Sequence, residues 1–179
     1  VNHVYGRFSK DILKMNLAIG SDKIKKNLKK QNLITYMPRK LPIHSQKLIF
    51  LLRNKLPKNW KIKALANISD YEFYNFLRKS KLFLSFSYME GLGAPPIEAA
   101  KEGNKVIGYT GEGGKDYWKK PIFTEIPNGN LDLFMREIMQ FIKDKKSYSL
   151  FLKQRIKLLK KYSSKSELKS LRSFINKII

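Results

Sequence analysis

A short stretch near the middle of the chain, residues 90–100, reads EGLGAPPIEAA and holds the residues best suited to chemistry. Its glycines let the backbone approach a ligand closely, and the helix that follows offers unpaired N–H groups and a positive dipole end. A glycine turn before a helix start therefore predicts a phosphate site. Glu98, about one turn into the helix, can accept hydrogen bonds from the vicinal hydroxyls of a ribose. Glu90, in the turn itself, is placed to meet a sugar.

The same stretch also has a purely structural interpretation. Glycine turns before helices are common, and the helix dipole alone favours an acidic residue in the first turn. Spacing by itself leaves both interpretations open.

Apolar, strand-like runs alternate with helical patterns around this stretch. The sequence predicts strands at 32–37, 60–65, 82–86, 105–109 and 123–126, and helices at 45–54, 70–79, 95–102 and 130–143. Ser69 and Glu72 form a capping-box pattern at the start of the second helix. This alternation predicts an α/β fold with a mostly parallel, Rossmann-like sheet of about five strands flanked by helices.

Ligands bind beyond the carboxyl ends of the strands in sheets of this kind. That rule points to the loops that follow the first four predicted strands, at 38–41, 66–69, 87–94 and 110–115. These loops hold nearly every residue in the chain with distinctive chemistry.

The ordered set of motifs resembles the C-terminal, nucleotide-sugar-binding domain of retaining GT-B glycosyltransferases of the family-four-like group. Glu90 and Glu98, with Gly-x-Gly and proline between them, look like the E-x7-E motif of that family. Residues 36–40 (YMPRK) look like its first basic loop, and residues 106–114 (VIGYTGEGG) look like the strand and glycine loop that follow the motif. The resemblance covers roughly residues 32–143 and implies one half of a GT-B fold.

The resemblance also implies a role for each matching position. Glu90 would contact the donor sugar as the catalytic residue, and Glu98 would bind the ribose hydroxyls. The donor and nucleotide would further be bound by Arg39, Lys40, Asn67, Ile68 and the backbone of Gly91, Leu92 and Gly93. The family needs no metal and no cofactor in this role, since the nucleotide-diphosphate sugar is a substrate.

The lysine that would help Arg39 neutralise the diphosphate departs from the family pattern. Arg39 and Lys40 are adjacent here, whereas the family separates its arginine and lysine by several residues, and the expected position falls near His44 and Ser45. Lys40 or Lys47 must substitute. A second open choice concerns Gly113 and Gly114, which either contact phosphate or sugar or form a turn forced by geometry.

The implied reaction is transfer of a sugar, with retention, to an acceptor such as a surface polysaccharide, a lipopolysaccharide or a glycolipid. The chain starts at Val1 and is short for two such domains, so we expect it to lack the N-terminal acceptor-binding domain and to be inactive alone. The sequence predicts three segments: a linker remnant at 1–31, the donor-binding domain at 32–143, and basic amphipathic helices packed on the fold at 144–179.

The net charge of +23 suggests a polyanionic partner, although a lysine-rich coding bias explains it equally well. The apolar runs are too short for a transmembrane helix, so we expect a cytoplasmic protein that sits at most peripherally on an anionic membrane. A nucleotide-sugar 2-epimerase of the same architecture is one alternative. Such an enzyme would be expected to place a different set of acidic and histidine residues around its cleft, and this sequence has no matching set. A nucleic-acid-binding module is another alternative. Such a module would interleave aromatic and basic residues on one face, whereas most aromatic residues here recur at spacings that face the core.

Overall fold

The computed structural model of the protein describes residues 15–22, 29–144 and 155–178. These residues form two compact units, one made of 29–144 with 155–156 and the other of 15–22 with 157–178. The segment boundaries predicted near residues 31 and 143 stay a prediction.

The larger unit is built on a five-stranded sheet in which every pairing is parallel. The strands are β1 (Gln31–Tyr36), β2 (Lys61–Ala64), β3 (Ser80–Glu90), β4 (Lys105–Glu112) and β5 (Phe123–Glu125), arranged in the order β2-β1-β3-β4-β5. The predicted Rossmann-like α/β sheet is therefore confirmed.

Four α-helices connect or follow these strands in the larger unit's described residues: α1 (Pro42–Arg53), α2 (Asp70–Lys79), α3 (Ala94–Lys101) and α4 (Leu131–Lys143). A 3₁₀ turn, Gly113–Asp116, follows β4. The predicted capping box is present at the start of α2, where the Glu72 N–H donates to the Ser69 hydroxyl and the Ser69 N–H donates to the Glu72 carboxylate.

The core lies along β4 and along β3 as far as Phe86, where the apolar residues are buried, as expected for parallel strands covered on both faces. Tyr88 and Met89, near the end of β3, are exposed. On α4, Phe134 packs against two strand aromatics, with ring centroids 5.3 Å from Phe86 and 5.5 Å from Tyr109. Burial of these large side chains is the main favourable term that holds the sheet and helices together.

The predicted end of β3 was wrong by several residues. The sequence predicted a strand over 82–86, but β3 continues to Glu90 because β4 pairs with it as far as Glu112, across an irregularity between Ser87 and Glu90. The glycine loop before α3 is consequently reduced to residues 91–93.

Two polar side chains at the amino edge of the sheet, where the strands begin, make several hydrogen bonds to the protein: the half-buried Lys30 and the buried Asn104. The Lys30 ammonium donates to the carbonyls of Leu77, Ser80 and Glu102 at 3.0, 2.8 and 2.7 Å. The Asn104 amide donates to the carbonyls of Leu77 and Ala99, and it accepts from the Ser80 hydroxyl. These bonds join the ends of α2 and α3 to the starts of β1 and β3.

The smaller unit contains helix α5 (Ser164–Ile178) and further helical residues at 157–161. The Ile19 N–H donates to the Tyr162 carbonyl, and the Ser164 N–H donates to the Asp22 carboxylate. The apolar side chains of this predicted amphipathic helix are partly exposed, as seen at Leu168, Leu171 and Ile175. Residues 145–154 of the predicted basic helices and most of the predicted linker remnant at 1–31 lie outside the described residues.

No helix in the described parts of the chain is both long enough and apolar enough to cross a membrane.

Candidate functional site

Two adjoining cavities lie at the carboxyl edge of the sheet, where β1, β2 and β3 end. Their volumes are about 220 Å³ and about 630 Å³, and Met37, Arg39 and Pro95 line both of them. We call them the small cavity and the large cavity. Lys40 and Glu90 line the small cavity. The large cavity is lined by, among others, Asn67, Ile68 and Glu98.

The fold therefore brings together side chains from three of the predicted loops. Arg39 follows β1, Asn67 follows β2, and Glu90 ends β3. These positions are far apart in the sequence, and parallel strands bring their carboxyl ends to one edge. Gly91, Leu92 and Gly93 line neither cavity and instead form the turn between β3 and α3.

The start of α3 is a weaker anion site than the sequence suggested. Gly93 precedes the helix with a left-handed φ of +69°, which favours glycine. Pro95 and Pro96 occupy the first turn and carry no N–H, so two of the groups that usually point out of a helix start are missing. A phosphate held here needs additional positive charge from side chains.

Arg39 and Lys40 are the basic side chains that line the cavities. Both are exposed, and among the described residues Arg39 has no hydrogen-bond or ion-pair partner. The Lys40 ammonium lies 3.3 Å from the Glu90 carboxylate. Lys47 is exposed on α1 and lines neither cavity. Of these two lysines, Lys40 is therefore the one beside the cavities.

His44 and Ser45, where the family pattern would place its lysine, also point elsewhere. The His44 ring packs edge-on against Tyr109, with centroids 5.8 Å apart. Ser45 is buried, and its hydroxyl donates to the Pro42 carbonyl within the first turn of α1.

Glu90 lines the small cavity, and its side chain is only 15% exposed. Its carboxylate packs over the turn, since one oxygen lies 3.6 Å from where a Cβ on Gly93 would stand. A Cβ at Gly93 would make only an ordinary contact with Glu90, but it would stand 3.2 Å from the Tyr117 hydroxyl and would strain the backbone at this positive φ.

Glu98 projects from α3 into the large cavity, where the Tyr74 hydroxyl donates a 2.5 Å hydrogen bond to its Oε1. Burial raises the pKa of Glu98, and the nearby Asp70 raises it further, whereas the Tyr74 hydrogen bond lowers it. Tyr74 belongs to no recognisable sequence motif and was not among the predicted site residues. Its position one turn into α2 was the only available signal.

The turn itself is braced by the segment after β4. A Cβ on Gly113 would stand 1.5 Å from the Gly91 carbonyl oxygen, so only glycine fits there. The Tyr117 hydroxyl donates to the Gly93 carbonyl at 3.0 Å. Gly113 thus serves close backbone packing, which favours the geometric interpretation of that glycine pair, and Tyr117 is a second residue that the sequence analysis did not identify.

The wall of the large cavity on the β2 side includes Leu65, Ala66, Asn67 and Ile68. Asn67 adopts a positive φ of 53°, a conformation that asparagine tolerates better than most residues. Its backbone therefore turns sharply beside the cavity. Among the described residues, no group of three or more histidine, aspartate or glutamate side chains could hold a metal ion.

No protein-family model matches this chain, and no curated protein matches it in sequence. Solved structures do match in fold. A mutant of TarM from S. aureus, in complex with Fondaparinux, alpha-GlcNAc-glycerol and UDP, is similar over 97% of this chain with a TM-score of 0.78 and 17% identity. A GtfA/B complex is similar over 90% of the chain with a TM-score of 0.67 and 11% identity.

The matched regions cover 41% and 39% of those two chains, so this chain spans less than half the length of either. The neighbours are glycosyltransferases of the GT-B architecture, and the larger unit has a glycosyltransferase-like fold.

Proposed function

We propose that this chain is the donor-binding part of a retaining GT-B glycosyltransferase, which transfers a sugar from a nucleotide-diphosphate sugar to an acceptor. One observation supports the proposal most: Arg39, Glu90 and Glu98 face two adjoining cavities at the carboxyl edge of a sheet whose fold is glycosyltransferase-like. Ligands of parallel α/β sheets bind at this edge.

The chemistry of each side chain suits one part of such a donor. Arg39 and Lys40 would stabilise the negative charge that grows on the diphosphate as the glycosidic bond breaks, since charge-assisted contacts act most strongly where charge develops. Glu98 would accept from the ribose hydroxyls in the large cavity. The base would lie against the wall near Asn67 and Ile68, and the sugar against Glu90.

The Lys40–Glu90 ion pair has a specific place in this proposal. In the free protein each charge neutralises the other across 3.3 Å. A diphosphate bound beside Arg39 would draw Lys40 toward it and release the Glu90 carboxylate to the sugar. The exchange replaces one charge-assisted contact by others and therefore costs little.

A nucleotide titration tests the donor site directly. The TarM structure contains UDP, so UDP is the first nucleotide to add to ¹⁵N-labelled protein, with GDP and ADP beside it. We expect amide shifts first at residues 91–94, at Ile97 and Glu98, and at Arg39, for one nucleotide more than the others. A dissociation constant on the order of 0.1–1 mM corresponds to about 4–5.5 kcal/mol. If no nucleotide perturbs those amides at millimolar concentration, the donor-site assignment fails.

In a two-domain GT-B enzyme the acceptor would be bound by a second domain facing the donor-binding part. Transfer needs donor and acceptor held together in near-attack geometry, and a closed cleft that excludes water. We therefore expect the 179-residue chain to bind a nucleotide diphosphate but to transfer no sugar. Turnover of a nucleotide sugar onto an added surface polysaccharide or glycolipid acceptor by this chain alone would contradict that expectation.

The basic C-terminal helices would hold the enzyme near an anionic membrane, where lipid-linked acceptors reside. Each lysine or arginine close to the surface contributes about 1 kcal/mol to such binding. Co-sedimentation with vesicles of increasing phosphatidylserine content measures it. Binding that ignores the anionic lipid fraction rejects the membrane role, and a salt-dependent gel shift with nucleic acid would favour the nucleic-acid alternative instead.

A further inference from the structure

Tyr74 and Glu98 form a pair inside the large cavity that no sequence motif indicates. Tyr74 lies on α2 and Glu98 on α3, and both side chains line the cavity. The hydroxyl donates to Glu98 Oε1 at 2.5 Å, a length typical of a hydrogen bond to an ionised carboxylate. The described residues give the Glu98 side chain no other hydrogen bond, so Oε2 is left for a ligand.

The Tyr74 ring is held by neighbours that do not involve Glu98. Phe73 packs edge-on against it at 5.4 Å, and the Arg78 guanidinium lies over it at 5.8 Å from the ring centroid. Arg78 is itself anchored, with its Nε 3.6 Å from the buried Glu102 carboxylate. The hydroxyl is therefore fixed before any ligand arrives, and a fixed donor loses less entropy when a complex forms.

The geometry points to Tyr74 as a positioning residue that holds the Glu98 carboxylate by one oxygen and presents the other to a ribose hydroxyl of the donor. This inference rests on the proposed donor-binding function. It adds a residue that acts on the ligand only through Glu98, and it makes a statement about the free protein that can be tested without any nucleotide.

Several charges act on the Glu98 carboxylate from the elements around it. Burial raises its pKa, Asp70 at the start of α2 raises it further, and Lys101 on α3 lowers it together with Tyr74. Arg39 lines the same cavity from the loop after β1. Burial and Glu98 also raise the pKa of Tyr74 itself, so its hydroxyl remains a donor throughout the physiological range. Tyr74 thus opposes the tendency of the buried carboxyl to take up a proton.

The first experiment is a ¹³C NMR titration of the Glu98 carboxyl in the free protein and in Tyr74→Phe. Loss of the hydroxyl should raise the pKa of Glu98, because the charged form loses its donor. Tyr71→Phe is the matched control, since Tyr71 is on the same helix, 76% exposed and absent from both cavities. It should leave the Glu98 titration unchanged. An unchanged titration in Tyr74→Phe overturns the inference.

The reciprocal variant keeps the test valid if Tyr74→Phe does not fold. In Glu98→Gln the neighbouring negative charge is gone, so the pKa of Tyr74 should fall toward its ordinary value. The ring carbon that bears the hydroxyl reports this directly. A Tyr74 titration that does not respond to Glu98→Gln also overturns the inference.

The second experiment measures UDP affinity against pH. At pH 7 we expect Tyr74→Phe to bind UDP about three- to tenfold more weakly, the range for one lost hydrogen bond. As the pH is lowered, the affinity of Tyr74→Phe for UDP should also begin to fall at a higher pH than that of the parent, because Glu98 takes up its proton earlier. This shift should be absent in Tyr71→Phe. If the parent binds no nucleotide, the proposed function fails while the titration of Glu98 still stands. If the parent binds and Tyr74→Phe shows the same pH profile, the positioning role fails alone.

Discussion

At the amino edge of the sheet, Lys30 and Asn104 are tied to the protein by several hydrogen bonds each, whereas at the carboxyl edge Arg39 and Glu98 face cavities with few partners. Lys30 donates to three carbonyls, and Asn104 is 1% exposed and makes three hydrogen bonds. Arg39, by contrast, has no hydrogen-bond or ion-pair partner among the described residues.

This difference separates polar groups that maintain the fold from polar groups that await a ligand. A buried polar group without a partner is costly, and at the amino edge Lys30 and Asn104 find their hydrogen-bond partners within the protein. At the carboxyl edge, Arg39 is exposed to solvent, so its lack of a protein partner costs little. Substitutions at the amino edge should therefore change stability, and substitutions at the carboxyl edge should change ligand binding.

The largest effect is expected at the amino edge. Asn104→Ala removes three buried hydrogen bonds and leaves the Ala99 carbonyl without its side-chain donor. We expect a loss of about 3–4 kcal/mol in the free energy of unfolding, measured by urea denaturation. Asn75→Ala, the same change at a partly exposed position of α2, is the control and should change stability by less than about 0.5 kcal/mol. Equal stabilities for the two variants would contradict the structural role.

The next effect belongs to the carboxyl edge. Glu98→Ala should weaken nucleotide-diphosphate binding by roughly 1.5–3 kcal/mol, the range for a hydrogen bond that involves a charged group. Stability should stay level or rise, because burial disfavours the carboxylate in the free protein and raises its pKa. Calorimetry gives the affinity and urea denaturation the stability, with Glu167→Ala on α5 as control. If Glu98→Ala loses stability but keeps its affinity for the nucleotide, Glu98 has a structural role and not a ligand-binding one.

A third prediction uses pH to probe the amino edge. Burial lowers the pKa of Lys105, at the start of β4, to about 8 from 10.5. Between these values the folded protein binds fewer protons than the unfolded chain, so the free energy of unfolding should rise with pH across this window. Relative to Lys105→Met, the parent should gain about 1–2 kcal/mol between about pH 7 and pH 9.5. Parallel pH profiles of the two proteins would show that Lys105 does not titrate differently on folding.

The smallest effect separates the two candidate lysines at the carboxyl edge. Lys40→Ala should weaken UDP binding by about 0.5–1 kcal/mol, since an exposed charge is well screened by water. Lys47→Ala makes the same chemical change outside both cavities and should have no effect. Calorimetry at low ionic strength resolves the difference. A larger loss in Lys47→Ala would reverse the assignment.

Local patterns in the sequence were sufficient for the order and type of the elements. The capping box at Ser69 and Glu72 predicted the start of α2 because both of its hydrogen bonds join residues three apart. The prolines after Gly93 predicted the start of α3 through another local effect, since their fixed φ suits the first turn of a helix. Alternation of strands and helices then indicated a parallel sheet, and with it the edge at which a ligand would bind.

Only the tertiary structure decided which side chains meet across the sequence. The Tyr74–Glu98 bond spans 24 residues, and the bond from Lys30 to the Glu102 carbonyl spans 72. The strand β3 extends to Glu90 because of pairing with β4, which nothing in its own residues requires. Lys40 and Lys47 are equivalent as residue types, and only the shape of the small cavity distinguishes them. Local propensity acts between near neighbours, whereas the partners of a buried polar group are set by the packing of distant elements.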